Sequence, residues 1–263
     1  MRIEVFGEPG YNWELPFECE IHCGSPKAVP DKSKFSVLNH TPEPPDHMIS
    51  AEDVKKIGHL FDLILTYDEH VLELPNAVKL LYGDQWVSGP PKSKNFSLSN
   101  LYSRGLGTSL NGYLLRREIW DRKHEIKIPL KFWTSTAEGR IPDVQDRCPY
   151  PYKLKDQLFE SMFSVIIENK KAKNYFSEKL LDALRSYTVP IYFGCPNVSD
   201  YFDQASIIQV NDVDEFLFKV NNITPDMYWE QMSSMDKNFK LAENYINYGG
   251  RMKEAIIKAY NNK

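Results

Sequence analysis

The sequence contains no apolar run close to the roughly 20 residues needed to cross a bilayer. Residues 1–7 also lack the apolar core of a signal peptide. These absences predict a cytoplasmic protein without an integral membrane segment. Basic residues are not in excess either, with 32 Lys and Arg against 36 Asp and Glu and a net charge of -4. Nucleic acid is therefore not an expected partner, since a broad binding surface needs surplus cations to replace counterions.

Cysteine is scarce, with four residues at positions 19, 23, 148 and 195. A chain of 263 residues buries enough apolar surface to fold without disulfides, so reduced thiols are expected. Cys19 and Cys23 flank His22 and offer metal-ligand atoms. No second Cys or His pair follows at ligand spacing, which argues against structural zinc.

Short apolar runs alternate with polar, Pro-rich joints through the first 81 residues. They predict strands at 3–6, 35–38 and 61–66 and a helix at 51–60. The stretch 67–81 has apolar residues at mixed spacing and is interrupted by a proline, which predicts two short helical turns. This part of the chain is therefore expected to alternate strands with helices.

The stretch 88–94 contains two consecutive prolines and is the predicted linker, because neither a helix interior nor a central strand accommodates them. We place a domain boundary there. Beyond it, the pattern predicts strands at 95–99 and 128–133 and a helix at 111–123. The residues predicted to face inward from that helix are Leu114, Leu115, Ile119 and Trp120.

The clearest pattern follows residue 160. A buried strand at 163–167, a helix at 177–187 with apolar residues on one face and a strand at 189–193 form a parallel crossover unit. The pattern therefore predicts an α/β region with a parallel sheet. Further strand and helix signals lie at 206–210, from Asp212 onward, and across 227–262.

The loop 168–176 follows a strand of this unit, at the sheet edge where parallel α/β proteins bind ligands. Ser177 is a good helix N-cap, and the helix start offers N–H groups and a partial positive charge to a diphosphate. Lys179 adds an ammonium, whereas Glu178 suits the hydroxyls of a ribose or sugar better than a phosphate. The same residues also fit an ordinary capped helix with a surface lysine.

A series of unlike residues around this loop has a recognisable order and spacing. It runs through Phe163-Ser-Val-Ile-Ile-Glu168-Asn169, five intervening residues, Tyr175-Phe176-Ser177-Glu178-Lys179-Leu180, Ala183 and Thr188-Val189-Pro190-Ile191-Tyr192-Phe193-Gly194-Cys195-Pro196. This series resembles the donor-binding motif of the α1,3-fucosyltransferase family. The resemblance extends more weakly through 206–208 and from Asp212 to Phe216.

The resemblance implies an inverting glycosyltransferase that moves fucose from GDP-fucose, the nucleotide sugar donor, to a hydroxyl of a glycan acceptor without a metal or other cofactor. It also implies an α/β GT-B fold, with two Rossmann-like domains whose parallel sheets face each other across a cleft. On this interpretation residues 1–90 form the acceptor-side domain and residues 91–245 the donor domain. Residues 246–263 form a C-terminal helix that packs back toward the first domain.

Carried over position by position, the motif assigns donor binding to Glu168, Asn169, Tyr175, Ser177, Glu178 and Lys179. In the family, a basic residue on an earlier helix helps to neutralise the diphosphate. Arg116 is the match here, and Arg117 is the adjacent alternative. A solvated surface arginine is the ordinary explanation for either.

Family members also carry a general base just after a strand of the N-terminal domain. Residues 35–43 have that layout, which makes Glu43 the catalytic candidate. The sequence 41–45 departs from the neighbourhood usual in the family, so His40, Asp46 and His47 remain alternatives. A second acidic feature, Asp212-Val213-Asp214, looks like the metal-binding Asp-X-Asp of other transferases but stands at a predicted helix start, where an Asp cap explains it.

Two other functions fit the residues. Recognition of a diphosphate by a helix start does not identify the base or the sugar, so a GT-B transferase with a different nucleotide sugar remains an alternative. A non-catalytic carbohydrate-binding protein would use the abundant aromatic side chains, which make up 13% of the chain. Such a protein would not need Arg116 and Lys179 for a diphosphate.

Overall fold

The computed structural model describes residues 4–6, 14–24, 29–40, 49–102, 110–135, 147–148 and 155–263. The chain divides into two compact units, the first formed by Met1–Tyr82 and Asn247–Lys263 and the second by Gly83–Ile246. The first division precedes the predicted linker 88–94. Trp86 N–H donates to Asp182 and Ser88 N–H donates to Asp156, so this segment is attached to the second unit.

The described part of the first unit contains a parallel sheet in the order β1-β2-β3-β4-β5. Its strands are β1 Glu4–Phe6, β2 Cys19–Cys23, β3 Phe35–His40, β4 Leu63–Thr66 and β5 Ala77–Lys79. Every residue of β2 and β3 is buried, as expected for parallel strands covered on both faces.

Two helices cover this sheet in the described part of the first unit. Helix α1, Ala51–Ile57, begins at Ser50, whose hydroxyl accepts from the Asp53 N–H, and its Val54 packs with Leu38 and Ile64. The second helix, Tyr248–Asn261, packs Tyr248, Met252 and Ile256 on the other side, among residues that include Ile21, Val37 and Leu65. The C-terminal helix therefore forms part of the first unit's core.

The second unit also contains a parallel sheet, and its described strands follow the order β11-β10-β9-β6-β7-β8. They are β6 Asn95–Tyr102, β7 Leu130–Ser135, β8 Arg147–Cys148, β9 Ser161–Ile167, β10 Val189–Phe193 and β11 Ile208–Gln209. The chain order reverses between β6 and β9, which makes this pair the topological switch point of the sheet. Two serine pairs join these central strands, Ser97 with Ser161 and Ser99 with Ser164, each with hydroxyl oxygens 2.9 Å apart.

The described helices of the second unit are α2 Asn111–Asp121, α3 Glu178–Arg185, α4 Val213–Val220, α5 Pro225–Glu230 and α6 Met232–Ala242. The helix Tyr248–Asn261 of the first unit is α7. Leu115 and Ile119 of α2 pack against Phe163, Val165 and Ile167 of β9. Short 3-10 turns lie at Gly58–Leu60, Val71–Glu73, Lys123–Glu125, Lys155–Glu160, Val198–Asp200 and Gln204–Ser206. Among the described helices, none is both long enough and apolar enough to span a membrane.

Two local predictions were wrong and one strand was missed. The second predicted turn of 67–81 is the short edge strand β5, held by pairing with β4, and β2 was not predicted as a strand at all. Leu114 is 44% exposed instead of buried. Residues 112, 115, 116 and 119 recur every three or four positions and form the buried face of α2, and Leu114 falls outside that series.

Candidate functional site

The carboxyl ends of β6 and β9 mark the crevice where an open α/β sheet binds its ligand. Glu168 and Asn169 follow β9 directly, and the loop that they open leads to the start of α3. Helix α2 also contacts this strand end, through Arg116. The predicted donor-binding residues therefore come from these three elements.

Arg116 connects α2 to the end of β9. Its Nε donates to the Ile167 carbonyl at 3.1 Å, and its Nη2 donates to the same oxygen and also to Asn169 Oδ1 at 2.9 Å. The guanidinium carbon lies 4.8 Å from the centre of the Tyr113 ring. Arg117, the alternative, is exposed. The structure thus places Arg116, and not Arg117, at the strand end.

Gly112 allows α2 to approach this loop closely. Its N–H donates to the Asn169 carbonyl at 3.1 Å, and a Cβ at this position would lie only 1.8 Å from the Glu168 carbonyl oxygen. A side chain would therefore displace the first turn of α2 from the loop.

Glu168 joins the end of β9 to the N-terminus of α3. Its carboxylate accepts from the Ser177 N–H at 2.8 Å and from the Ser177 hydroxyl at 2.6 Å. The hydroxyl in turn accepts from the Lys179 N–H, so Ser177 is the N-cap of α3, as predicted. Burial raises the pKa of Glu168 against the opposing charge of Lys179. Both Glu168 and Ser177 are 0% exposed.

A cluster of buried charges lies at the start of α3. Lys155 Nζ contacts Asp182 Oδ2 at 2.7 Å and Glu178 Oε1 at 3.6 Å, and Lys179 Nζ lies 3.4 Å from the same Glu178 oxygen. Burial opposes ionisation of Glu178, but the two lysines and hydrogen bonds from Ser177 and Lys179 outweigh it and lower its pKa to about 2. Glu178 is therefore an anion at neutral pH.

These groups surround a cavity of about 210 Å³. Arg116, Lys155, Glu178 and Lys179 line it, together with Trp86 and Asn100. Cationic side chains beside a carboxylate suit a ligand that combines phosphates with hydroxyl groups. The ammonium of Lys155 also lies 4.8 Å from the centre of the Trp86 ring.

The predicted residues fall into two groups. Arg116, Glu178 and Lys179 line the cavity, whereas Glu168, Tyr175 and Ser177 are 0% exposed and lie behind it. Asn169 is 6% exposed and holds Arg116. Sequence reasoning missed Lys155, Trp86 and Asn100. Trp86 stood beside the predicted linker, and the other two carry no local pattern that marks a ligand site.

The predicted base Glu43 and its alternatives Asp46 and His47 lie outside the described residues. His40 is described and is 4% exposed. Its Nε2 lies 3.1 Å from the Ile49 carbonyl and its Nδ1 lies 2.8 Å from the Thr66 hydroxyl. Because a carbonyl only accepts, Nε2 carries the proton and Nδ1 accepts from Thr66. Both ring nitrogens of His40 are thus used within the fold.

The acidic triplet at 212–214 has structural partners. Asp212 is the N-cap of α4 and accepts from the Glu215 N–H, as the sequence predicted. Asp214 contacts Arg122 at 2.6 Å. Within the described ranges, no group of three or more His, Cys, Asp or Glu side chains is arranged to hold a metal ion.

The fold is that of the GT-B glycosyltransferases. A crystal structure of an α1,3-fucosyltransferase with GDP aligns with 87% of this chain and 79% of its own, at a TM-score of 0.50 and 18% identity. Anabaena HepE in complex with UDP-glucose aligns with 88% of this chain and 73% of its own, at a TM-score of 0.57 and 8% identity. At these identities the likeness concerns the fold alone.

Comparison with models of protein families gives a more specific result for one segment of the chain. Residues 131–247 match the model of glycosyltransferase family 10 (fucosyltransferase), C-terminal domain. The chain is 35% identical over 74 residues to the α-(1,3)-fucosyltransferase FucT of Helicobacter pylori, and 48% identical over 46 residues to the α-(1,4)-fucosyltransferase of Arabidopsis thaliana. These alignments span 28% and 18% of this chain but only 16% and 12% of the relatives. The predicted resemblance to the α1,3-fucosyltransferase family is confirmed.

Proposed function

We propose that the protein is an inverting fucosyltransferase that transfers fucose from GDP-fucose to a hydroxyl of a glycan acceptor. One observation carries the proposal. The segment that matches the fucosyltransferase family contains the loop between β9 and α3, and that loop ends in the charged residues that line the cavity.

The residues have separate roles in this proposal. Arg116 and Lys179, with the N-terminus of α3, bind the diphosphate and stabilise the charge that builds on its β-phosphate as GDP departs. Glu178, an anion, accepts hydrogen bonds from hydroxyls of the ribose or the sugar. Glu168, Tyr175 and Ser177 lie behind the cavity and act as positioning residues, and Asn169 orients Arg116.

The reaction is a single displacement. Glu43 removes the proton of the acceptor hydroxyl, whose oxygen attacks the anomeric carbon of fucose while the bond from that carbon to the phosphate oxygen breaks. GDP leaves from the opposite face with the electron pair, so the anomeric configuration inverts. Charge stabilisation by Arg116 and Lys179 makes a metal or other cofactor unnecessary in this scheme. The first unit, Met1–Tyr82 with Asn247–Lys263, provides the acceptor side, and the second unit, Gly83–Ile246, which contains the cavity and Trp86, provides the donor side.

Calorimetric titration of GDP tests the donor site. The native chain is expected to bind GDP, Lys179→Ala to bind it at least about tenfold more weakly, and Lys240→Ala, which removes an exposed lysine on α6, to bind it normally. Equal binding by the two variants would remove Lys179 from the site. Incubation of the native chain with GDP-fucose, GDP-mannose or UDP-glucose and a panel of glycans, with the product anomer read by NMR, then tests the sugar and the inversion.

A further inference from the structure

Asn174 has a backbone conformation that is uncommon for a residue with a side chain. It lies in the loop between β9 and α3, its φ is 60°, and it is 1% exposed. This left-handed region favours glycine, and asparagine is among the few other residues that adopt it readily. Left-handed residues persist where their surroundings hold them, and they are concentrated at ligand-binding and active sites. The contacts of Asn174 therefore show what holds this loop.

Asn197, at the start of the 3-10 turn after β10, binds Asn174 through two hydrogen bonds. The Asn174 N–H donates to Asn197 Oδ1 at 2.9 Å, and Asn197 Nδ2 donates to Asn174 Oδ1 at 2.9 Å. The same Nδ2 group also donates to Asp200 Oδ2 at 2.8 Å, which fixes the orientation of the Asn197 amide. The Tyr201 hydroxyl donates to Asn174 Oδ1 as well. One turn therefore holds both the backbone and the side chain of Asn174.

The position of Asn174 in the chain connects these contacts to the candidate site. Residues 175–176 follow directly, and both are 0% exposed. Ser177 then caps α3, so Asn174 sets the direction in which the chain enters this helix. Glu178 and Lys179 in the first turn of α3 line the cavity. A change of φ at Asn174 to the ordinary negative range would redirect the chain and displace those two side chains.

We infer that Asn174 is a positioning residue for donor binding, which holds the start of α3 where Glu178 and Lys179 meet the nucleotide sugar. The inference rests on the proposed function. Asn174 is not among the residues that line the cavity, so it acts through the loop and not by contact with the ligand. Small displacements of this kind have large effects, since a shift of about 1 Å in a positioning element lowers an enzymatic rate by about 100-fold.

Three substitutions separate the backbone of Asn174 from its side chain. Asn174→Gly permits the left-handed conformation but removes the bonds to Oδ1, whereas Asn174→Ala removes the same bonds and also disfavours the conformation. Tyr201→Phe removes one hydroxyl donor and keeps the ring, whose centre is 5.3 Å from that of Phe176. Because affinity falls with the fraction of chains in the binding conformation, we expect GDP affinity to fall about tenfold in Asn174→Ala and about threefold in the other two variants.

Asn238, on α6 of the same unit, provides a matched control. It is 0% exposed, and its side chain accepts from the Asp203 N–H at 2.7 Å and donates to the Asp203 carbonyl at 2.8 Å and the Ser206 hydroxyl at 2.9 Å. It is not among the residues that line the cavity. Asn238→Ala is therefore expected to lower Tm and to bind GDP with native affinity while it is folded. A residue that serves the fold alone would behave in this way.

The experiment is calorimetric titration of GDP into the native chain and the four variants, at a temperature where thermal melts show each of them to be folded. Weaker binding by Asn174→Ala than by Asn174→Gly, with native binding by Asn238→Ala, would support the inference. Native affinity in Asn174→Ala, or an equal loss in Asn238→Ala, would overturn it and leave the proposed function standing. If Asn174→Ala does not fold, native affinity in both Asn174→Gly and Tyr201→Phe would overturn it. Failure of the native chain to bind GDP would overturn the proposed function as well.

Discussion

The Glu168 carboxylate accepts two hydrogen bonds from Ser177, one from its N–H at 2.8 Å and one from its hydroxyl at 2.6 Å. Ser177→Ala removes the hydroxyl, which is also the N-cap of α3. We expect the free energy of unfolding to fall by about 1–3 kcal/mol, from the lost cap and from the Glu168 oxygen left without its donor. Urea unfolding measures this change in the free energy of unfolding. Ser233→Ala, at a less buried position on α6, should change stability by less than about 0.5 kcal/mol, and a similar loss in both variants would contradict the role of Ser177.

Arg116→Lys keeps the charge but loses the planar fork that reaches both Ile167 and Asn169. A lysine cannot reproduce two parallel donors of this geometry. Calorimetry should show GDP affinity reduced by about tenfold, or about 1.4 kcal/mol. Arg117→Lys changes the exposed neighbour and should bind GDP as the native chain does. If Arg117→Lys were the weaker binder, the assignment of the diphosphate contact to Arg116 would be wrong.

Gly112→Ala introduces a Cβ at 1.8 Å from the Glu168 carbonyl oxygen. The first turn of α2 has to move away from the loop, and overpacking of this kind costs about 1–3 kcal/mol. We expect a lower midpoint in urea unfolding together with weaker GDP binding, because Arg116 moves with α2. Leu114→Ala, on the same helix at a 44% exposed position, is the control and should change stability by no more than about 0.5 kcal/mol. Native stability in Gly112→Ala would show that the close approach does not constrain the helix.

Glu178 makes stability depend on pH in the acid range. Its pKa is lowered from 4.5 in the unfolded chain to about 2 in the folded one. Its ionised form therefore contributes stability that is complete above about pH 4.5 and is lost as the pH falls toward 2. We expect Glu178→Gln to reduce the free energy of unfolding by about 2 kcal/mol at pH 6 and much less at pH 3. Urea unfolding from pH 3 to pH 7 measures the difference, and a gap independent of pH would exclude the ionisation of Glu178 as its source.

Lys155→Met tests the cause of that lowered pKa. Removal of a cation 3.6 Å from the Glu178 carboxylate should raise the pKa of Glu178 by about one unit or more. In a Lys155→Met background, the stability lost through Glu178→Gln should therefore be smaller at neutral pH, and it should disappear at a higher pH than in the native background. Lys237→Met removes a lysine that pairs on the surface with Asp203 and should leave this pH dependence in place. An unchanged pH dependence in Lys155→Met would assign the ionisation of Glu178 to Lys179.

The α/β pattern was predictable where strands are continuous apolar runs. Residues 163–167 and 189–193 correspond to β9 and β10 because strands buried on both faces need apolar side chains throughout. The strand β2 was missed because it is not a continuous apolar run. Its residues Glu20 and His22 are polar yet 4% and 1% exposed, and their burial depends on neighbours that the local sequence does not reveal.

The candidate site was only partly predictable for a related reason. Ser177, Glu178 and Lys179 are adjacent at a helix start, so local chemistry indicates an anion site there. Lys155 and Asn100 line the same cavity but belong to other elements of the chain. Pairing of β6 with β9 brings Asn100 there, and packing against α3 brings Lys155 there. Spacing along the chain predicts no such convergence. Lys94 is a second residue whose partners are distant in the sequence. It lies in the predicted linker, yet its Nζ donates to the Phe159 carbonyl at 2.6 Å and to the Thr188 hydroxyl.

The pair formed by Ser99 and Ser164 limits how the cavity could change to accept a different ligand. Ser164 lines the cavity, and its hydroxyl lies 2.9 Å from that of Ser99, which is 0% exposed. Enlarging Ser164 alone would shrink the cavity and also remove the shorter of the two hydrogen bonds of the Ser99 hydroxyl, leaving the 3.4 Å contact with the Phe163 carbonyl. The two positions are therefore energetically coupled, and substitutions that reshape the cavity floor are expected to be tolerated as a pair more readily than one at a time.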